Sequence, residues 1–285
     1  MPVPQTRDRR YLLREEDYMA LYLFCFARSD LIGEVEGPAA DGHHALRLFR
    51  HLPDVGAVVS EVPEEDFCGP GAELRMQDLA WVGPRALRHE AVVERVMRDS
   101  PVLPVRFGTL FSSQESLAEF LDVHHKTIAQ FLEQVSGQDE WSVKGLLDRQ
   151  QAAQALISAT LVARHEELAT LPPGRRYFEE QRRRAATERE LSLWLKETCR
   201  QVASGLLRQA SNFCECPVVL RETADSGVEL VLNWAFLLPR SATTAFRAQI
   251  GELNAHHARR GLTLELSGPW PPYRFVPPLA VEGAT

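Results

Sequence analysis

No apolar run in this 285-residue sequence is long enough to cross a bilayer. The most apolar stretch, Val228 to Leu238, contains Glu229 and Asn233 and stops far short of the roughly 20 residues that a spanning helix needs. It reads as a buried strand, and no membrane span is expected. Met1 to Arg10 carries charge but leads into no secretory apolar segment with a small-residue cleavage site, so secretion is not expected. Cysteine is sparse, with five residues (Cys25, Cys68, Cys199, Cys214 and Cys216) scattered along a chain large enough to fold without disulfide staples. They are expected to be reduced, which suits a cytoplasmic location. Basic side chains are outnumbered 32 to 39, giving a net charge of -7, and an acidic surface repels phosphate backbones. A nucleic-acid partner is therefore not expected.

Catalytic signatures are also missing. The sequence contains no Gly-x-Ser-x-Gly elbow, no Gly-x-x-x-x-Gly-Lys phosphate loop and no Gly-x-Gly-x-x-Gly fingerprint. His89-Glu90 starts like a zinc-protease helix, but Val93 occupies the position where the second histidine would stand. His89 instead falls on the apolar stripe of its helix, as a core or interface histidine would. His124-His125 and His256-His257 are adjacent pairs, and neighbours on a helix point about 100 degrees apart, a poor geometry for chelation. Cys214-Glu-Cys216 is too tightly spaced for a zinc knuckle and has no second pair. The expectation is a protein without catalytic residues, metal, cofactor or small-molecule substrate.

With 45% hydrophobic and 25% charged residues, the composition is that of an ordinary globular protein. The length favours two domains of roughly 140 residues each. Leu21 to Phe26 reads as a central strand, His43 to Leu52 as a short helix, and Val55 to Val62 as a strand closed by Pro63. From Leu79 to Met97, Val82, Ala86, His89, Val93, Val96 and Met97 recur at helical spacing, while Arg85, Arg88 and Arg95 take the solvent side. Val102 to Phe107 is a short strand, and Ser112 with Glu115 forms a capping box for a helix whose stripe runs from Leu117 to Val135.

After Gly137, Glu140 to Leu147 alternates as a strand, and the domain boundary is placed between residues 137 and 138. Helices over about 149–171 and 175–213, joined at Pro172-Pro173-Gly174, make an antiparallel hairpin, with Glu179 and Glu180 paired to Arg183 and Arg184. The rest reads as a strand at Val218 to Glu222, a turn at Asp225 to Gly227, a strand at Val228 to Leu237, a helix at Ala242 to Arg259 and a strand at Leu262 to Leu266. The fold expected is α+β in two domains: an N-terminal α/β sandwich over 1–137, and over 138–285 a ferredoxin-like sandwich whose first crossover is enlarged into a helical arm at about 149–213.

Two stretches stand out. One is Val102-Leu-Pro-Val-Arg-Phe-Gly-Thr-Leu-Phe111. The other is Leu266-Ser-Gly-Pro-Trp-Pro-Pro-Tyr-Arg-Phe-Val276, where three prolines stiffen the chain around Trp270, Tyr273 and Phe275. A segment of that kind closes a core or presents a rigid aromatic surface.

Leu103-Pro-Val-Arg-Phe-Gly-Thr109 and Ser267-Gly-Pro-Trp-Pro-Pro-Tyr273 resemble motifs of the gas vesicle protein GvpL/GvpF family. So do Leu21-Tyr22-Leu23, Val58-Val59-Ser60-Glu61-Val62, His89 with Val92 and Val93, Glu140-Trp141-Ser-Val-Lys144, and Asn233-Trp-Ala-Phe-Leu237, all in family order from about residue 20 to 276. Ser267, where many members have threonine, and Arg274, where a small polar residue is usual, depart from the pattern. The resemblance implies a cytoplasmic accessory protein, a minor component of gas vesicles, that contacts the shell protein and other accessory proteins early in assembly. Arg106, Phe107, Trp270, Pro271 and Tyr273 are the candidate partner-binding residues, and an exposed strand edge is a further candidate, by adding a strand. The alternatives from other classes are an RNA-binding α+β module and an enzyme.

Overall fold

The computed structural model describes residues 19–69, 71–160, 173–218 and 227–279, without the side chains of 157–160, 173, 176, 179, 180 and 183. It is a mixed α/β structure with two antiparallel sheets, and its described residues fall into two compact units, 19–134 with 277–279, and Val135–Val276. The expected Glu179/Glu180 to Arg183/Arg184 ion pairs and most of the Val218 to Glu222 strand and its turn lie outside the described residues.

The first unit is built around β1 (Met19–Arg28), whose Tyr, Phe and β-sheet-favouring aliphatic residues are buried almost throughout. It is flanked by β3 (Val55–Pro63) on one side, with β2 (Leu46–Arg50) beyond it, and by β4 (Val102–Pro104) and β5 (Leu110–Phe111) on the other. A bulge between Leu23 and Cys25 interrupts the β1–β3 register. It puts Tyr22, Phe24, Cys25 and Ala27 into one core cluster despite the two-residue period of a strand. That face packs on Val92, Val93 and Val96 of α3 (Leu79–Met97), reached through the short α1 (Glu64–Phe67) and α2 (Ala72–Gln77). The opposite face carries α4 (Gln114–Gln134), where Phe120 stacks on Phe26 at 5.9 Å. Two hydrogen bonds also tie α4 to the β2–β3 turn, His51 Nε2 to Asp122 at 2.9 Å and His125 Nε2 to Asp54 at 2.8 Å.

Two local readings change here. His43 to Leu52 is not a helix. Asp41 accepts hydrogen bonds from the N–H groups of His43 and His44, forming a turn, and Leu46–Arg50 then pairs with Gly56 to Ser60 of β3. The cap of α4 is Ser113 rather than Ser112. Its hydroxyl accepts from Ser116 N–H at 3.2 Å, and the Ser116 hydroxyl accepts from Ser113 N–H at 3.2 Å, a reciprocal box shifted by one residue.

In the second unit, β6 (Gln138–Asp148) is central and the strand order is β7-β8-β6-β9, with β7 (Asn212–Glu215), β8 (Val228–Pro239) and β9 (Leu262–Trp270). One face buries Trp141, Val143, Trp234 and Phe236 against Val202 and Leu206 of α6 (Pro173–Leu207) and Phe246 and Ile250 of α7 (Thr243–His257). Ala152 of α5 (Arg149–Thr160) joins Leu147, Leu191 and Leu262 in a smaller cluster, and Arg149 bridges Glu188 of α6 and Glu229 of β8. The long helix stops at Leu207 rather than Phe213. Asn212 to Glu215 pairs with β8, and the Phe213 ring settles 5.1 Å from that of Phe236, so sheet packing overrides the helical periodicity. The free edge of β9 is protected in its middle: the Asn254 side chain of α7 donates to Leu264 C=O at 2.9 Å and accepts from Leu264 N–H at 2.7 Å. That occupies backbone groups another strand could otherwise pair with.

Candidate functional site

The Leu103 to Thr109 loop is held by a chain of hydrogen bonds through the core. His89 Nε2 lies 3.2 Å from Val105 C=O, which fixes that nitrogen as the N–H donor. Nδ1 is then the acceptor, and Tyr22 O–H donates to it at 2.9 Å. Gly108 N–H in turn donates to the Tyr22 oxygen at 3.2 Å. Burial drives the His89 pKa down to about 4, against a weaker pull upward from the Val105 carbonyl, so the imidazole is neutral at pH 7. Burial also holds the Tyr22 phenol well above its ordinary range, keeping it an O–H donor. Around this relay the rings of Tyr22, Phe67, His89 and Phe107 lie within 5.2 to 6.0 Å of one another in successive tilted or edge contacts. Gly108 adopts a φ of +82° at the turn.

Arg106 and Phe107 therefore sit side by side on one anchored loop. The arginine is exposed, with no side-chain partner among the described residues, and the phenylalanine is half-buried in the ring cluster.

Trp270, Pro271 and Tyr273 share a second segment, in the other unit. Pro271 is buried, Tyr273 half-buried and Trp270 exposed at the end of β9, with its indole N–H 3.3 Å from Ser267 Oγ. Glu140, nearly buried in β6, accepts a hydrogen bond from Arg274 N–H at 2.9 Å and clamps the segment onto the sheet. Gly268 sits at φ +134°, where a Cβ would lie 2.9 Å from Glu140 O and 3.1 Å from the Trp141 ring. Pro271 and Pro272 thus close the sheet, and Trp270 is the aromatic side chain that the stretch exposes, beside Ser267, Pro269 and Arg274.

The groups that an enzyme reading would gather are dispersed. His89 projects from α3 onto Tyr22 and Phe24 of the first sheet, whereas His124 lies on α4, on the other side of that sheet, against Phe120 at 4.4 Å. Cys214 and Cys216 are free thiols, and among the described residues no three His, Cys, Asp or Glu side chains converge as metal ligands. No helix among the described residues is long and apolar enough to cross a membrane.

One functional feature escaped the sequence reading. The arginines assigned to the solvent face of α3 turn back onto backbone carbonyls: Arg85 to Trp81 O at 3.3 Å, Arg88 to Ala40 O at 3.0 Å, and Arg95 to Glu36 O. Beside them Leu79, Ala80, Pro84, Leu87 and Ala91 are exposed, with Glu90 and Glu94 toward the helix C-terminus.

This architecture is that of solved gas vesicle proteins. Crystal structures of the gas vesicle protein GvpF from Anabaena sp. PCC7120 and from Microcystis aeruginosa superpose with TM-scores of 0.66 and 0.65 at 18% and 17% identity. The matches cover 91% and 90% of this chain and 96% and 99% of those chains. In sequence, gas vesicle protein L of Streptomyces sp. (strain CB03234) is 30% identical over 244 residues, 85% of this chain and 86% of that protein. Gas vesicle protein F of the same strain is 26% identical over 266 residues, 90% of this chain and 100% of that protein. Residues 20–277 match the family described as gas vesicle synthesis protein GvpL/GvpF, and the chain belongs to that family.

Proposed function

We propose that this chain is a cytoplasmic gas vesicle accessory protein that binds the hydrophobic shell protein, limits its aggregation, and assists nucleation and assembly of the vesicle. The observation that carries this reading is the family match across residues 20–277. A shell subunit with one face turned to gas exposes a large apolar surface before it polymerises, and such surfaces aggregate unless covered. The role is structural or assembly-related rather than catalytic, and it calls on no cofactor, nucleic acid or small-molecule substrate. Other accessory proteins of the vesicle are further partners on this reading.

The two units are read as two domains, divided near residues 137 and 138. The second is read as ferredoxin-like, in keeping with its β9-β6-β8-β7 order and helices on one face. Arg106, Phe107, Trp270, Pro271 and Tyr273 are proposed to contribute to partner binding, with the exposed Arg106 and Trp270 as the side chains available for contact. An RNA module would need rings on an open sheet face. Of the rows turned away from α6 and α7, Asn233-Lys144-Glu265 and Ala235-Ser142-Ser267 have none, and Leu237-Glu140-Trp270 has a single ring at the end of the sheet.

Co-expression with the shell protein tests the reading. The tagged chain is expected to retain shell protein through purification and to keep it in the soluble fraction. Equal shell-protein aggregation with and without the chain, and none co-purified, would overturn it.

A further inference from the structure

The first half of the outward face of α3, from Leu79 to Leu87, lacks the charges that a surface helix normally shows to water; Glu90 and Glu94 follow it on the same side. Its exposed positions Ala80, Pro84, Leu87 and Ala91 follow one another at four, three and four residues, the spacing of a single helical stripe. Leu79 beside them is 84% exposed and Leu87 is 74% exposed. On the adjoining α2, Leu74 is 73% exposed and Met76 is 41% exposed. The arginines of α3 do not cover this surface, because their guanidinium groups are engaged with backbone carbonyls or, for Arg85, also laid 4.1 Å over the Trp81 ring.

The apolar surface runs on into the anchored loop. Met76 Cε lies 3.6 Å from where a Gly108 Cβ would stand, and the Phe67 ring touches both Trp81 at 5.4 Å and Phe107 at 5.9 Å. Arg106, next to Phe107 in the chain, is exposed and has no charge partner among the described residues. A partner here gains most from an apolar stripe that ends in a carboxylate.

We propose that the outward face of α2 and α3, continued by Phe107 and Arg106, is a reversible docking site for an amphipathic helix of the shell subunit. This rests on the shell-binding reading above and assigns it a surface. A helix fits better than a strand, because α3 bonds its backbone within its own ladder, apart from the Ala80 carbonyl opposite Pro84, and offers no strand edge to pair with. Ala80, Gly83 and Ala91 leave shallow grooves into which a partner's ridge can settle, along a stripe of roughly 16 Å. The large exposed side chains offer on the order of a few hundred Å² of apolar surface, enough to mark an interaction site. That is less than the ~800 Å² per partner of a stable interface, which favours a client bound and released over a permanent second copy.

The test compares full-length wild type, the double variant Leu79→Ser/Leu87→Ser, Arg106→Glu, and the off-face control Val123→Ser on α4, each co-expressed with the shell protein. Val123 is 77% exposed, so the control removes a comparable side chain elsewhere. The double variant should retain at least about tenfold less shell protein than wild type, with Arg106→Glu intermediate and the control unchanged, while all melt within about 3 °C of one another. Undiminished capture by the double variant would overturn the assignment while leaving the shell-binding reading intact. A wild-type dimer in sedimentation that the double variant converts to monomer would overturn it too, by giving the face to a second copy. Failure of the wild type itself to capture shell protein strikes instead at the underlying function.

Discussion

Replacing His89 with glutamine is expected to remove about 3 kcal/mol of acid sensitivity from the protein. In the folded chain His89 titrates at about 4, while in the unfolded chain it titrates near its ordinary 6.5. Between those values the unfolded state binds a proton that the folded state refuses, so stability falls as pH falls, by up to about 1.4 kcal/mol per pH unit. The contribution is fully present above pH 6.5 and is lost by pH 4. Glutamine can accept from Tyr22 O–H and donate to Val105 C=O without titrating. Denaturant unfolding at pH 7 and pH 4 should therefore show a smaller stability loss for His89→Gln than for wild type, and subtracting the two curves cancels the carboxylates common to both. Parallel curves would mean that the imidazole is not the neutral relay described. Leucine at the same position should cost roughly 2–4 kcal/mol even at pH 7, because it leaves the buried Tyr22 hydroxyl and Val105 carbonyl without their partner.

The second large effect concerns Gly268. Alanine there must adopt φ +134° and place its Cβ against Glu140 O and the Trp141 ring, neither of which is the flexible end of a side chain. Backbone strain and overpacking together should cost roughly 3 kcal/mol, a drop in melting temperature of about 10 °C. Gly251→Ala in α7 serves as the contrast, since its Cβ would meet nothing within 4 Å and alanine is the better helix former. Thermal melts should move in opposite directions for the two variants. A Gly268→Ala protein as stable as wild type would show that the clamp over β6 yields easily.

Much of the architecture follows from local pattern. The run of Leu, Tyr, Phe and Cys in β1 could only be buried on both faces, and the bounds of α3 are those its periodicity marks. Where the reading failed, a distant group decided the outcome. Leu46–Arg50 is a strand because β3 offers it a ladder, and Phe213 leaves its helix because Trp234 and Phe236 offer it rings. The bulge at Phe24 is invisible to a two-residue period.

The candidate site was legible only as motifs. Leu103 to Thr109 could be singled out, but its anchoring by Tyr22 and His89 spans the first unit. The exposed apolar residues of α3 were hidden for a related reason. Arg85, Arg88 and Arg95 look like a solvated face until the carbonyls of Ala40 and Glu36 are seen to claim two of them.

Flotation of cells lacking this gene tests the central claim most directly, in a vesicle-forming host with no second member of the family. The account predicts that such cells sink, that they regain buoyant vesicles when the intact gene is restored, and that their unassembled shell protein is found aggregated. Normal numbers of buoyant vesicles in the deleted cells would contradict it.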